Sequence, residues 1–256
     1  MKKKYDEVFY KDHHATKVKG AEIVLRKLFK SLPKIESAVD IGCGVGTWLS
    51  VFKELGVNEI RGYDGPWVNK KMLKIPEECF TEIELDKNFF IDKKYDLAMS
   101  LEVAEHLPES SAELFVETLT KASDIILFSA AIPLQGGVNH FNEQWPEYGS
   151  ELFNKKEYVT MDILRMQIWN EEEVLSFYKQ NILLYVNKDV IKKIKIPVPV
   201  SILSMVHPDF YLYKIRSIPY EIRLTELYKI VFKRILKKIA GKRIWNAIKK
   251  IREKNV

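Results

Sequence analysis

An α/β chain built on a parallel sheet is what this 256-residue sequence predicts, and three observations predict it. Strand-like apolar runs alternate with helix-like periodic runs from Ser37 to about Ile132. A glycine-rich turn, Gly42-Cys43-Gly44-Val45-Gly46, stands directly behind the first of those runs. Beyond Ile132 the alternation gives way to a long loop, a short helix and a later strand, so the βαβ part of the pattern spans Ser37 to about Ile132.

Taken in order, the first element is a helix over Lys17–Phe29, because Val18, Ala21, Val24, Leu25 and Leu28 fall on one helical face and Leu32-Pro33 stops it. The short apolar runs Ala38–Ile41, Glu59–Tyr63, Phe80–Leu85, Asp96–Ser100 and Asp124–Ser129 read as strands. Between them Thr47–Leu55 and Ser110–Ala122 carry helical spacing, which makes βαβ units. The loop Pro133–Asn142, a short Trp/Tyr-rich helix and a strand over Ile182–Val186 complete the body. The expected domains are a helical lid segment at 1–36, the main domain at 37–190, a linker at 191–220 and a basic amphipathic tail at 221–256.

With 46% hydrophobic and 30% charged residues the composition is that of an ordinary globular chain. No run reaches the roughly 18 apolar residues of a membrane span, and Ile196–Val206 is interrupted by Pro197 and Pro199. The opening MKKKYDEVFYKDHH turns acidic and aromatic where a signal peptide needs an apolar stretch, so a cytoplasmic chain is expected. Cys43 and Cys79 make neither a disulfide framework nor a metal-binding spacing. The net charge of +6 is unevenly placed: from Glu221 onward twelve Lys and Arg face three Glu, a net of +9, which leaves −3 for the rest.

Glycines in alternation after a strand let a ligand approach the backbone, and the helix that follows presents free N–H groups at the same point. A dinucleotide fingerprint would put its third glycine at position 47, which is Thr47. Asp40-Ile41-Gly42-Cys43-Gly44-Val45-Gly46-Thr47 instead resembles motif I of the class I S-adenosylmethionine-dependent methyltransferases. The resemblance implies a Rossmann-like, mostly parallel seven-stranded sheet with helices on both faces, and S-adenosylmethionine as cofactor. It further implies that Asp64 accepts from the ribose hydroxyls and that Leu85-Asp86 contacts the adenine. Tyr95–Pro108 resembles the fourth-strand segment of the family, which brings Ser100 and Glu102 into the implied cofactor set together with Asp40, Gly42, Gly44 and Gly46.

A narrower resemblance runs over residues 5 to 190. SAAIPLQGGVNHFNEQWPEYGSELF, from Ser129, and RMQIWNEEEVLSFYKQN are similar to methyltransferases of bacterial capsule and O-antigen clusters. The likeness implies O-methylation of a sugar, nucleotide-sugar or related small acceptor. Gly149 departs from it, standing where a second aromatic is expected.

Proton removal from an acceptor hydroxyl needs a base, and imidazole titrates in the right range. His140, in the loop after the fifth strand, is the expected general base; His106 is its reserve and Glu143 its companion. Trp145, Tyr148, Phe141 and Trp169 are candidate pocket aromatics, while His13, His14 and His207 are read as surface or linker residues. Metal-free catalysis is the reading taken; Glu102 and His106 with His140 or Glu143 are the set a divalent metal would use. Ser100-Leu101-Glu102-Val103 stands where related enzymes that methylate base amino groups carry an Asn-Pro-Pro-aromatic type of sequence, which speaks against N-methylation of a base and leaves other nitrogen or phosphate-linked acceptors open.

In the tail Leu224, Leu227, Tyr228, Val231, Ile235 and Ile239 recur at helical spacing opposite Lys229, Lys233, Arg234 and Lys237. Packing on the body or on another subunit, peripheral membrane contact and a nucleic-acid arm compete for it, in that order. Two rivals stand beside the sugar methyltransferase: an RNA or protein methyltransferase that docks through the tail, and a non-catalytic scaffold on the same fold.

Overall fold

A computed structural model describes residues 14–191, 203–217 and 227–232. It divides into two compact units, Met1–His207 and Pro208–Val256. The first is a single seven-stranded sheet flanked by helices. In chain order come helix α1 (His14–Phe29), β1 (Ser37–Ile41), α2 (Thr47–Glu54), β2 (Glu59–Asp64), β3 (Phe80–Glu82), β4 (Leu97–Leu101), α3 (Ala112–Ala122), β5 (Ile125–Ser129), α4 (Pro146–Lys155), β6 (Tyr158–Met161), α5 (Arg165–Ile168), α6 (Ser176–Asn181), β7 (Leu183–Asn187) and α7 (Lys188–Ile191). The strands lie in the order β3-β2-β1-β4-β5-β7-β6. Every pairing from β3 to β5 is parallel, and β7 runs antiparallel to both its neighbours.

Both faces of the sheet are covered, as the unbroken apolar character of β4 and β5 requires. Leu97 and Met99, with Ile125 and Leu127, face one core that includes Val24, Leu25 and Leu28 of α1 and Leu49 and Phe52 of α2. Ala98, Ile126 and Phe128 face the other, filled by Phe115, Val116 and Leu119 of α3 and Phe153 of α4. This is the period-two alternation of a strand buried on both sides. The N-terminal helix expected as a lid segment puts Val24, Leu25 and Leu28 at 0% exposure, so it is part of the core. Truncating any of the three would cost about 2–5 kcal/mol.

Three features differ from the sequence reading. β3 ends at Glu82 rather than Leu85, because the chain leaves the sheet in a turn there. β6 was not expected: four residues, Tyr158–Met161, are too few to show a period and owe their strand to pairing with β7. Part of the expected linker is tied to the first unit: Leu203 carbonyl accepts from Arg165 at 2.6 Å, and His207 N–H donates to Gln180 Oε1 at 3.0 Å.

In the second unit α8 (Pro208–Ser217) and a helical stretch at 227–232 are described. Leu227, Tyr228, Ile230, Val231 and Phe232 are exposed there. Leu224, Ile235, Ile239, the rest of the basic tail and His13 lie outside the described residues. Among the described residues no helix is long and apolar enough to cross a membrane.

Candidate functional site

β1 and β4 are neighbours, and their connections leave to opposite sides, which opens a crevice at their C-terminal ends. The glycine turn occupies the β1 side. Gly42, Gly44 and Gly46 all hold positive φ, at 89°, 56° and 79°. A Cβ on Gly42 would lie 2.4 Å from Val103 Cγ2, and one on Gly46 would lie 2.8 Å from Ile75 Cγ1. At Gly44 a Cβ would meet nothing within 4 Å. Two of the glycines therefore admit protein neighbours and the third faces open space, the cradle that a bound cofactor needs.

Asp64 closes β2 and holds the turn in shape. Its Oδ2 accepts from Gly44 N–H and its Oδ1 from Gly65 N–H, each at 2.6 Å. Burial raises its carboxyl above the usual range, and the two N–H groups and Trp67 work the other way. Two of the roughly four acceptor positions of a carboxylate are thus engaged, which leaves acceptor capacity for ribose hydroxyls. Asp40 is buried, and its carboxyl is raised well above the usual range by burial first and the Asp64 charge second.

On the β4 side the strand ends in strain. Glu102 has φ 55°, a left-handed conformation uncommon for a residue with a side chain. Its N–H is shared between the Ser129 carbonyl at 3.0 Å and the Ser129 hydroxyl at 3.1 Å. Its carboxylate accepts from Gln135 Nε2 at 2.5 Å and from Asn181 Nδ2 at 3.0 Å. Ser100 is wholly buried and its hydroxyl has no partner. The chain then takes a 3-10 turn over Ala104–His106, which turns Glu105 inward to 0% exposure. Neither Glu105 carboxylate oxygen meets a donor at hydrogen-bonding geometry. Burial, then the Glu102 charge, raises its carboxyl well above the usual range, with the nearby N–H groups of Glu105 itself and Ala131 opposing.

The loop after β5 is fastened to this turn, since Phe141 and Asn142 N–H both donate to the Glu105 carbonyl, at 2.8 and 3.1 Å. That contact carries His140 against His106, edge to face with ring centroids 4.8 Å apart. His106 Nδ1 lies 3.2 Å from the Asn139 carbonyl, and His140 Nδ1 lies 2.9 Å from Glu143 Oε1. Burial first, then the His140 charge, lowers the His106 pKa. Ligand atoms of Glu105, His106 and His140 all lie within 4.8 Å of one another.

Beside this cluster is an apolar pocket walled by Phe115, Phe128, Leu152 and Tyr185, with Asn142 and Asn181 among its polar lining. Trp145, Tyr148 and Gly149 line it as well. A Cβ on Gly149 would come 3.4 Å from the Tyr185 hydroxyl, so an aromatic there would fill the space that glycine leaves open.

The structure thus brings Asp40, Gly42, Gly44, Gly46, Asp64, Ser100 and Glu102 to one crevice and His106 and His140 to its β4 side. Leu85 is buried, whereas Asp86 is exposed on the turn after β3. Glu143 is a loop organiser: besides His140 it accepts from Leu134 N–H at 2.7 Å and Gly136 N–H at 2.6 Å. Among the expected pocket aromatics Phe141 is 74% exposed, and Trp169 packs on His207 at 4.4 Å. His207 is itself buried, not a surface linker residue. The expected cation set needs correction, since Glu102 is committed to two amides and Glu105 takes its place. Sequence reading missed Glu105, Gln135 and Asn181; an acid inside the apolar run Val103–Leu107 was the available signal for the first.

Residues 13–129 match a family described as a methyltransferase domain. No curated protein matches the chain in sequence. An O-methyltransferase family protein from Burkholderia thailandensis is similar in structure at 12% identity and a TM-score of 0.52, over 71% of this chain and 59% of that one. A SAM-dependent methyltransferase from Archaeoglobus fulgidus matches at 18% identity and a TM-score of 0.50, over 72% of this chain and 100% of that one. Human N-acetylserotonin methyltransferase, solved with SAM, matches at 13% identity and a TM-score of 0.46 over 71% of this chain, and this chain spans 59% of its length. Residues 13–129 thus match a methyltransferase domain, and the seven-stranded fold of the chain is shared with solved S-adenosylmethionine-dependent methyltransferases.

Proposed function

We propose that the chain O-methylates a hydroxyl of a sugar, nucleotide-sugar or related small acceptor, in the assembly of a bacterial surface polysaccharide. The observation that carries this reading is the position of the Glu105–His106–His140 cluster on the same crevice as the glycine turn. S-adenosylmethionine, when bound, supplies a methyl group already activated on a sulfonium. The chain then has to align an acceptor and deal with its proton. Gly42, Gly44, Gly46, Asp64 and Asp40 line the donor side, and Ser100 and Glu102 stand at the end of β4 next to it. The histidine pair, with Glu143 holding His140, is the group that acts on a hydroxyl acceptor in this reading.

The apolar wall of the neighbouring pocket favours a second form of the acceptor, one with an aromatic or aliphatic portion beside its hydroxyl. Incubating the full-length protein with methyl-labelled S-adenosylmethionine and a panel of nucleotide-sugars, sugar-phenyl conjugates, RNA and peptides tests both. Label on a sugar or conjugate hydroxyl is expected. Label on RNA or peptide alone would replace the reading with the docking rival, and failure to bind the donor would leave the scaffold rival. Replacing His140 by Ala is expected to lower turnover on the order of a hundredfold or more with donor affinity kept.

A further inference from the structure

We infer that Glu105, His106 and His140 form a binding site for one divalent transition-metal ion whose open coordination positions take acceptor oxygens. The inference rests on the reading of this crevice as the acceptor site and names the chemistry that holds the acceptor there. Four observations meet at the cluster. One ligand atom from each of the three residues lies within 4.8 Å of the other two. Cis ligands around a cation at about 2.1 Å stand roughly 3.0–3.5 Å apart, so each group has to move inward by no more than about an ångström.

The carboxylate is the second observation. A buried acid whose oxygens have only the Glu105 and Ala131 N–H groups nearby, and no hydrogen bond at good geometry, is costly by itself, and a cation supplies what the protein does not. Glu102, three residues earlier, shows the contrast, because Gln135 and Asn181 already hold its two oxygens.

The third is the way the imidazoles are held. Nδ1 of His140 is set against a carboxylate and Nδ1 of His106 against a backbone carbonyl, which fixes both rings with their Nε2 atoms outside those bonds. A ligating histidine is ordinarily oriented in this manner, by a carboxylate or carbonyl on its other nitrogen. Fourth, only a glycine at 137 gives the His140 ring its room, since a Cβ there would lie 2.1 Å from Nε2. Left-handed backbone at Leu134, Gly136 and Asn139 bends the same loop.

Two imidazoles and one carboxylate select a first-row ion such as Mn(II), Co(II) or Zn(II) over Mg(II), which takes oxygen ligands in a near-ideal octahedron. Three protein ligands leave positions open, and neighbouring hydroxyls of a sugar could fill two of them. In that arrangement the imidazoles act as ligands, the ion polarises the acceptor hydroxyl, and its proton leaves to solvent water.

The test is titration of the full-length, chelator-treated protein with Co(II), followed by its visible spectrum, and with Mn(II), followed by loss of the free-ion paramagnetic signal. Neither donor nor acceptor is added. One equivalent of each is expected to bind, with Glu105→Gln and His140→Asn weakening binding at least thirtyfold and Glu143→Gln about tenfold. Calorimetric donor binding reports whether each variant is folded, and His140→Asn, a loop change, stands in if Glu105→Gln fails to fold. No uptake by the wild-type protein, or uptake that the variants leave unchanged, overturns the site. Stoichiometric uptake without transfer to any hydroxyl would instead overturn the acceptor assignment and keep the site. Transfer that survives chelation in a protein that takes up no ion would do the reverse.

Discussion

Replacing Gly44 by alanine separates what the glycine turn does for the protein from what it does for the cofactor. Gly44 has φ 56° and a Cβ there would meet no atom of the protein within 4 Å. The only cost within the protein is therefore the left-handed backbone, about 1–2 kcal/mol for a residue with a Cβ. In a domain of this size that is a fall in Tm of roughly 2–8 °C. Gly56, behind α2, supplies the control: its φ is 90° and its Cβ would also point into open space. Gly56→Ala should lower Tm by a similar amount. The two variants part company on the donor. If the space in front of Gly44 is where S-adenosylmethionine lies against the backbone, the added methyl group collides with it. Affinity should then fall at least tenfold, or about 1.4 kcal/mol. Gly56→Ala should bind as the wild type does. Calorimetric titration and thermal melts on both variants read these quantities separately. A Gly44→Ala protein that binds the donor as tightly as Gly56→Ala would refute the placement of the cofactor against this turn. Gly42 and Gly46 are poor choices for the same experiment, because alanine there strikes Val103 or Ile75 and would damage the turn directly.

Asp40→Asn should stabilise the protein near neutral pH. Burial and the Asp64 charge raise the Asp40 carboxyl well above 3.8, so between that value and its folded pKa the folded state holds more protons than the unfolded one and stability falls as pH rises. Asparagine does not titrate, so the gap in Tm between variant and wild type should open on going from pH 4 to pH 7; a constant gap would remove Asp40 as its source. Gly137→Ala should displace the His140 ring and lower turnover at least tenfold while leaving donor affinity unchanged, because the new Cβ would sit 2.1 Å from Nε2; unchanged turnover would show that the ring has other room. Arg165 is wholly buried, 2.6 Å from Asp162, and donates to the Gln180 and Leu203 carbonyls. Arg165→Ala should cost about 3–5 kcal/mol in denaturant unfolding by stranding the buried Asp162 charge, and a loss under 1 kcal/mol would mean that the pair is solvated.

The layout of the sheet was legible in the chain because its cause is local. Short unbroken apolar runs in Leu97–Leu101 and Ile125–Ser129 follow from burial on both faces, and helical spacing in Ala112–Ala122 from burial on one. The glycine turn was legible as well, since a strand followed by glycines at 42, 44 and 46 states its own backbone requirement. β6 was not legible: four residues carry no period, and only pairing with β7 makes them a strand. The histidine cluster was hidden for the same reason. His106 and His140 are far apart in the chain, and nothing local says that their rings touch; the Phe141 and Asn142 N–H bonds to the Glu105 carbonyl bring them together. The sequence could nominate Glu102, Glu105 and Glu143 alike as acids near a histidine. Glu102 found amides, Glu143 found loop N–H groups, and Glu105 makes no hydrogen bond at good geometry with either. Composition and spacing determined the fold class, the glycine turn and the residue types at the crevice. Which acid stayed unpaired was decided only by tertiary packing, because a hydrogen-bond partner is a matter of three-dimensional distance and a single chain position does not record it.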